Sequence, residues 1–202
     1  MISISILNIR DNENKIRQID NLNPSFIHLD IMDGNFVNNK VDLLDLPKLN
    51  SKKDIHLMVN NIKAYIDMYK NYKPEYITFH LEATNNIDEI IKYIKDLNIK
   101  VGISIKPDTS VKSLLPYLDK VDLVLVMSVE PGAGGQKFID SSTNKIKELY
   151  QLREKNNYNY VIEVDGGVNF NTKDKCEGAD ILVVGSYITM SDNIYETYNN
   201  ML

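Results

Sequence analysis

Tryptophan is missing from this 202-residue sequence, and cysteine occurs once, at Cys176. A single cysteine rules out an internal disulfide and fits a reducing compartment. Cys176 lies in a polar, helix-like stretch and reads as structural or incidental. Positive charge is also short: 23 Lys and Arg stand against 28 Asp and Glu, for a net charge of −5 and an isoelectric point near 5.2. A nucleic-acid binder would carry a basic face, so that class of partner is excluded. No apolar run approaches the ~20 residues of a membrane span. Met1 leads directly into the alternating Ile2-Ser3-Ile4-Ser5, without the basic stretch and cleavage site of a secretory signal. The expectation is a cytoplasmic protein with neither a membrane nor a nucleic acid as partner. Glycine is sparse too, and six of its nine residues gather in three short stretches.

What is present is alternation. Strand patterns fall at 2–7, from 26 to the Asp33-Gly34 turn, and at 55–59, 76–80, 100–105, 123–127, 160–164 and 181–184. Helical patterns fall at 12–22, 62–72, 87–97, about 111–118, about 141–155, 173–177 and 192–201. In 87–97, Ile87, Ile90, Ile91, Ile94 and Leu97 recur at helical spacing. Residues 41–49 are short and mixed, with Pro47 limiting any helix. The stretch 123–127 is almost wholly apolar, as a strand buried on both faces should be. Eight strands each followed by a helix, with no break in composition, predict an α/β chain: a single (β/α)8 TIM barrel over residues 1–202. An open doubly wound sheet would place its first phosphate loop after strand one, and Leu7-Asn8-Ile9-Arg10 contains no glycine.

In a barrel the active site forms at the C-terminal strand ends. Those ends carry Ser5, His28 with Asp30, His56, His80 with Glu82, Met127, Asp165 and Gly185-Ser186. Alternation puts His28, Asp30 and Met32 on one face and Ile27, Leu29 and Ile31 on the other. An inward His or Asp is costly to bury alone. Two His and two Asp from strands two, three and seven either satisfy one another and the backbone or converge on one divalent ion. Mixed imidazole and carboxylate ligation suits Zn, Fe(II), Mn or Co. His80 reads as supporting the site through Glu82 rather than as a ligand. Met32, Met58 and Met127 are either core filler or an apolar lining of the mouth. Gly132, Gly134 and Gly135, then Gly166-Gly167, then Gly185-Ser186, either make tight turns or turn backbone N–H groups toward a phosphate. Three such stretches on neighbouring strands favour the phosphate.

His28-x-Asp30-x-Met32-Asp33-Gly34-x-Phe36 resembles the signature of the ribulose-phosphate 3-epimerase family. Ser5-Ile6-Leu7, His56-Leu57-Met58, residues 78–82, 127–138 and 163–168, and Gly185-Ser186 are similar to it in the same order. The resemblance implies a ribulose-phosphate-binding barrel and a metal-dependent isomerase of the pentose phosphate pathway. That enzyme interconverts D-ribulose 5-phosphate and D-xylulose 5-phosphate by proton transfer at C3 through an enediolate. It implies one divalent ion on His28, Asp30, His56 and Asp165, with Asp30 and Asp165 as the acid–base pair. It implies substrate contacts from Ser5, His56, Asp165, Gly132, Ala133, Gly134, Gly135, Gly166, Gly167, Gly185 and Ser186. The partner is then a small sugar phosphate, and assembly as a homo-oligomer stays open. The chain departs from the family pattern at Asn38, usually Pro, and at Ala133, usually Phe. It also lacks a following Gly-Pro pair and is short over 169–180. Allulose-6-phosphate 3-epimerase, a sugar-phosphate-binding barrel without epimerase activity, and a decarboxylase or aldol-type synthase are the rivals. The last typically carries Asp-x-Lys-x-x-Asp, and Asp30-Ile31-Met32-Asp33 has no such lysine.

Overall fold

The structure is a computed structural model that describes residues 1–202. Its strands are β1 (Ile2–Ser5), β2 (Phe26–Asp33), β3 (Lys40–Val41), β4 (Lys53–Met58), β5 (Tyr76–His80), β6 (Lys100–Ile105), β7 (Leu123–Met127), β8 (Val161–Asp165) and β9 (Ile181–Val184). Eight of them run parallel in the order β1-β9-β8-β7-β6-β5-β4-β2, and the β1–β2 pairing closes the barrel. The expected TIM barrel is therefore present. β3 is an addition: it pairs antiparallel with the end of β2, Met32 opposite Val41. It uses the same edge of β2 that pairs with β1 further down.

The outward strand faces meet helices. Ile27, Leu29 and Ile31 of β2 are fully buried, as the alternation predicted. They share one continuous core with Ile16 and Ile19 of α1 (Glu13–Asp20), Ile62, Ile66 and Tyr69 of α2 (Ile62–Tyr69), and Ile87, Ile90, Ile91 and Ile94 of α3 (Ile87–Asp96). Asparagines start several helices. Asn12 accepts from the Lys15 N–H at 3.0 Å and Asn61 from the Ala64 N–H at 3.4 Å. Each satisfies a donor that a helix N-terminus otherwise leaves free. After β7 comes α4 (Ser142–Asn156), and after β9 come α5 (Ser186–Thr189) and α6 (Ile194–Asn199).

Three elements differ from expectation. The pattern at 111–118 forms only a 3-10 turn, Val111–Leu114, because Pro116 has no N–H with which to continue a helix. The stretch 173–177 is likewise a 3-10 turn, Lys173–Cys176. Cys176 is buried there, and burial pushes its thiol up to about 12, which suits packing and not reactivity. Residues 192–201 hold a helix only from Ile194, capped by Asn193, and α5 precedes it.

Inside the barrel the filling is layered. Phe26, Tyr76, Leu123, Leu125 and Ile181 make an apolar layer, with the Phe26 and Tyr76 rings edge-on at 5.6 Å. The interior also carries polar groups that never reach solvent: Ser3, Asp54, Thr78, Ser104 and Glu163 are all fully buried. Gly102 makes room for one of them, since a Cβ there would lie 2.2 Å from Thr78 Oγ1.

Candidate active site

Strand register brings the site together. Ser5 lies opposite His28, Asp30 opposite His56, and Met127 opposite Asp165. His28 and Asp30 are two residues apart on β2, so both point inward. His28 Nε2 lies 3.4 Å from Asp30 Oδ1 and 4.0 Å from Asp165 Oδ2. His56 Nδ1 lies 3.3 Å and 3.9 Å from the same two oxygens. Four potential ligand atoms, from β2, β4 and β8, thus sit within 4.8 Å of one another. These are the two His and two Asp that the strand ends carry, brought close enough to share one ion.

The donor set fits a divalent cation. His28 is fully buried, and its Nε2 has no hydrogen-bond partner, an expensive state for a polar atom unless something else completes it. Its Nδ1 is engaged by Asp54 Oδ2 at 2.7 Å, which leaves Nε2 as the atom facing the cluster. Burial disfavours a charged His28, yet the Asp30 and Asp54 carboxylates outweigh it and hold its pKa well above the usual value. Burial would likewise raise Asp30, but His28 and His56 hold it well below the usual carboxylate range. Asp165 goes the other way: burial and the charge of Asp30 push it up to about 6. A cation among these groups would satisfy the orphaned nitrogen and relieve the repulsion between the two carboxylates.

Ser5 Oγ donates to Asp30 Oδ2 at 2.7 Å, fixing that carboxylate from the side away from His56. Above the cluster opens a cavity of about 300 Å³, lined among others by Ser5, Asp30, Asp165 and the glycine stretches. Met32, Met58 and Met127 line it as well, so the three methionines are pocket wall. His80 stays out of the ligand set: its Nδ1 faces Glu82 Oε2 at 3.3 Å and its Nε2 faces His56 Nε2 at 2.9 Å.

The glycine stretches ring the same cavity. Gly132, Ala133, Gly134 and Gly135 follow β7, Gly166-Gly167 follow β8, and Gly185-Ser186 follow β9. The backbone N–H groups of Gly167 and Gly185 make no hydrogen bond within the protein. Packing also explains part of the glycine usage. A Cβ on Gly134 would lie 2.8 Å from Asn8 Oδ1, and one on Gly132 would lie 2.9 Å from Val37 Cβ. Asn39 Nδ2 donates to Gly132 O at 2.6 Å, tying the loop to the β2–β3 connection. Close packing and turn-making thus account for Gly132 and Gly134, while the N–H groups of Gly167 and Gly185 are without a partner in the protein.

Asp54 and Glu163 were not anticipated as part of the site. Asp54 accepts from His28 and, at 3.3 Å, from Ser3 Oγ. Glu163 is fully buried, with both oxygens unpartnered, and burial and the Asp54 charge raise its pKa well above the usual range. The signal was available: Asp54 precedes His56 by two residues and Glu163 precedes Asp165 by two, so each shares its neighbour's inward face.

Comparison with known proteins identifies the family. The profile described as the ribulose-phosphate 3 epimerase family matches residues 1–189. A ribulose-phosphate 3-epimerase of Buchnera aphidicola subsp. Baizongia pistaciae is 40% identical over 177 residues, 83% of this chain and 78% of that protein. The Bacillus subtilis protein of the same name is 36% identical over 188 residues, 87% of this chain and 84% of its own length. Among solved structures, KGPDC from Streptococcus mutans superposes with a TM-score of 0.69 at 13% identity, covering 99% of this chain and 94% of that one. Thiamine phosphate pyrophosphorylase from Pyrococcus furiosus gives 0.65 at 12%, covering 99% and 92%. At such identities the likeness speaks for the barrel alone.

Proposed function

The chain belongs to the ribulose-phosphate 3-epimerase family, and from that premise we propose which of its residues carry the reaction. The activity is the interconversion of D-ribulose 5-phosphate and D-xylulose 5-phosphate, a step of the pentose phosphate pathway. The proton at C3 is acidified by the neighbouring C2 ketone, and its removal leaves an enediolate. Epimerisation then needs a proton delivered to the opposite face, and hence two acid–base groups.

Asp30 and Asp165 are those groups in this reading. The observation that carries it is their placement: two carboxylates from different strands, β2 and β8, line one cavity with oxygens within 4.8 Å. Asp30 removes the proton from one face and Asp165 supplies one from the other, and the roles exchange when the reaction reverses. Ser5, donating to Asp30 Oδ2, holds that carboxylate in its working orientation. Met32, Met58 and Met127 exclude water from the cavity floor, which keeps the carbanion from random protonation. The phosphate binds the backbone of Gly132–Gly135, Gly166-Gly167 and Gly185-Ser186, where free N–H groups meet the cavity. His56, named by the resemblance as a substrate contact, is fully buried and lies beneath the residues that line the cavity, so its part here is as a ligand. A divalent ion on His28, His56, Asp30 and Asp165, of the Zn, Fe(II), Mn or Co type given this donor set, supplies when bound the positive charge that stabilises the enediolate oxygen. The site draws on β1, β2, β4, β7, β8 and β9, so the whole chain is read as one catalytic domain.

The test is the fate of the C3 hydrogen. In heavy water, product should carry solvent deuterium at C3, and substrate recovered early should carry much less, because the first carboxylate returns its own proton. Asp30→Asn and Asp165→Asn should each abolish turnover, since an amide cannot accept the proton at neutral pH, with ion content measured in each. Transfer of the original hydrogen into product, or near-normal turnover by either ion-loaded variant, refutes the two-carboxylate assignment.

A further inference from the structure

A run of hydrogen bonds leads from the outer helix α4 to the inner face of the barrel. Lys145 Nζ, near the start of α4, donates to three backbone carbonyls: Lys106 O at 2.9 Å, Pro107 O at 2.5 Å and Thr109 O at 2.6 Å. An ammonium has three N–H donors, so the whole side chain is committed to pinning this one loop after β6. The loop in turn donates twice to one oxygen of Glu82, from the Lys106 N–H at 2.8 Å and the Thr109 hydroxyl at 2.5 Å. The other Glu82 oxygen faces His80 Nδ1 at 3.3 Å, and His80 Nε2 faces His56 Nε2 at 2.9 Å. His80 is fully buried, and the Phe36 ring covers it at 4.8 Å between centroids.

Polarity follows from the chemistry of the ends. Glu82, met by two donors from the loop, acts as an acceptor, so the proton of His80 sits on Nδ1. Its Nε2 is then a lone pair. Two ring nitrogens 2.9 Å apart need one N–H between them, which places the proton of His56 on Nε2. With an ion bound, that leaves His56 Nδ1 as a lone pair on the side of Asp30 Oδ1, 3.3 Å away; without one, the same nitrogen donates to that carboxylate and lowers its pKa. A lone pair against a carboxylate is unfavourable unless a cation lies between them. The run thus selects the one form of His56 that can ligate.

We propose that His80 and Glu82, held by the 106–109 loop and Lys145, are positioning residues that fix the tautomer and orientation of His56 for ion binding. This rests on the reading of His56 as a ligand. Glu82→Gln can offer an N–H to His80 and so loses the enforced polarity. His80→Leu removes the link, whereas His80→Gln retains a carbonyl that can accept from His56.

The test is ion affinity, measured by titrating the ion-free protein with Co(II) against a competing chelator and following visible absorption. Glu82→Gln and His80→Leu should bind Co(II) about 10- to 100-fold more weakly. His80→Gln should recover most of that loss, and kcat at saturating Co(II) should return to within a few-fold of wild type. A merely structural role would lower the melting temperature and kcat without recovery by added ion, and would overturn the proposal. Should the His80 variants fail to fold, Thr109→Val, remote from the ring, should still weaken Co(II) binding measurably. Wild-type affinity in Glu82→Gln and Thr109→Val overturns the relay. His56→Ala separates the two levels: wild-type affinity in that variant overturns the ligand assignment itself.

Discussion

Gly167 and Gly185 both line the end of the cavity proposed to hold the phosphate, but the structure gives them different reasons to be glycine. Gly167 has φ +66°, and a Cβ there would lie 2.3 Å from Phe138 N, 2.8 Å from Phe138 Cα and 2.9 Å from Lys137 C. These are backbone atoms of the segment that carries the glycine loop into α4, so they cannot rotate away. Alanine in the left-handed region costs roughly 1–2 kcal/mol, and forcing the segment outward costs roughly 1–3 kcal/mol more. At about 2–4 °C per kcal/mol for a chain of this size, Gly167→Ala should melt roughly 5–20 °C below wild type. Its KM should rise as well, because the loop it displaces is the one proposed to hold the phosphate. At Gly185 an added Cβ meets nothing closer than Ser5 Cβ, at 3.6 Å, which is ordinary contact. Gly185→Ala should therefore melt closer to wild type than Gly167→Ala, while its methyl stands where the phosphate is proposed to approach the backbone. Losing one charge-assisted hydrogen bond, worth about 1.5–3 kcal/mol, predicts a KM raised by roughly 10- to 100-fold with a smaller change in kcat. Thermal melts and steady-state kinetics on ribulose 5-phosphate read both variants. A folded Gly185→Ala with wild-type KM refutes the phosphate placement, and a Gly167→Ala that melts with wild type refutes the steric reasoning.

Dialysis against a strong chelator should lower turnover, with Zn, Fe(II), Mn or Co restoring it; full activity in protein shown by elemental analysis to be ion-free would count against the His and Asp cluster as an ion site. Asp20→Ala should destabilise the fold by about 2–4 kcal/mol in urea unfolding, because its two oxygens accept the Asn50 and Ser51 N–H groups, each at 2.9 Å, and charged acceptors of this kind are worth about 1.5–3 kcal/mol each before partial rescue by water. Those bonds lower the Asp20 pKa although burial opposes them. Its contribution is therefore complete above the unfolded carboxylate value and lost as pH falls through the folded one, so the gap between wild type and Asp20→Asn should close at acid pH; a gap that persists there would sink the assignment.

The parts of the molecule that repeat were readable from spacing, and the parts that depend on one residue's neighbours across the barrel were not. Strands alternate inward and outward with period two, so spacing alone sets His28, Asp30 and Met32 on one face, and β2 holds them there. Each strand is followed by a helical or turn segment, so closure into a barrel followed. Length along each element was harder. Pro116 and the weak pattern at 173–177 left too few consecutive N–H donors or apolar positions for an α-helix, and 3-10 turns stand instead. The β2–β3 pairing was hidden because its partner strand is two residues long and gives no period to detect. In the site, the residues at strand ends stood out in the sequence, while Asp54, just ahead of the strand pattern at 55–59, and Glu163, inside that at 160–164, did not. Their importance is a matter of register: Asp54 stands opposite His28, and only that pairing turns an acidic residue near a strand start into the partner of a buried imidazole. The same holds for Lys145. On sequence it is one more lysine on a polar helix, and its meaning comes from three carbonyls of a loop that lies 36 to 39 residues away along the chain. Alternation states which way a side chain points; what it meets there is set by strand register and by loops whose course no local period encodes.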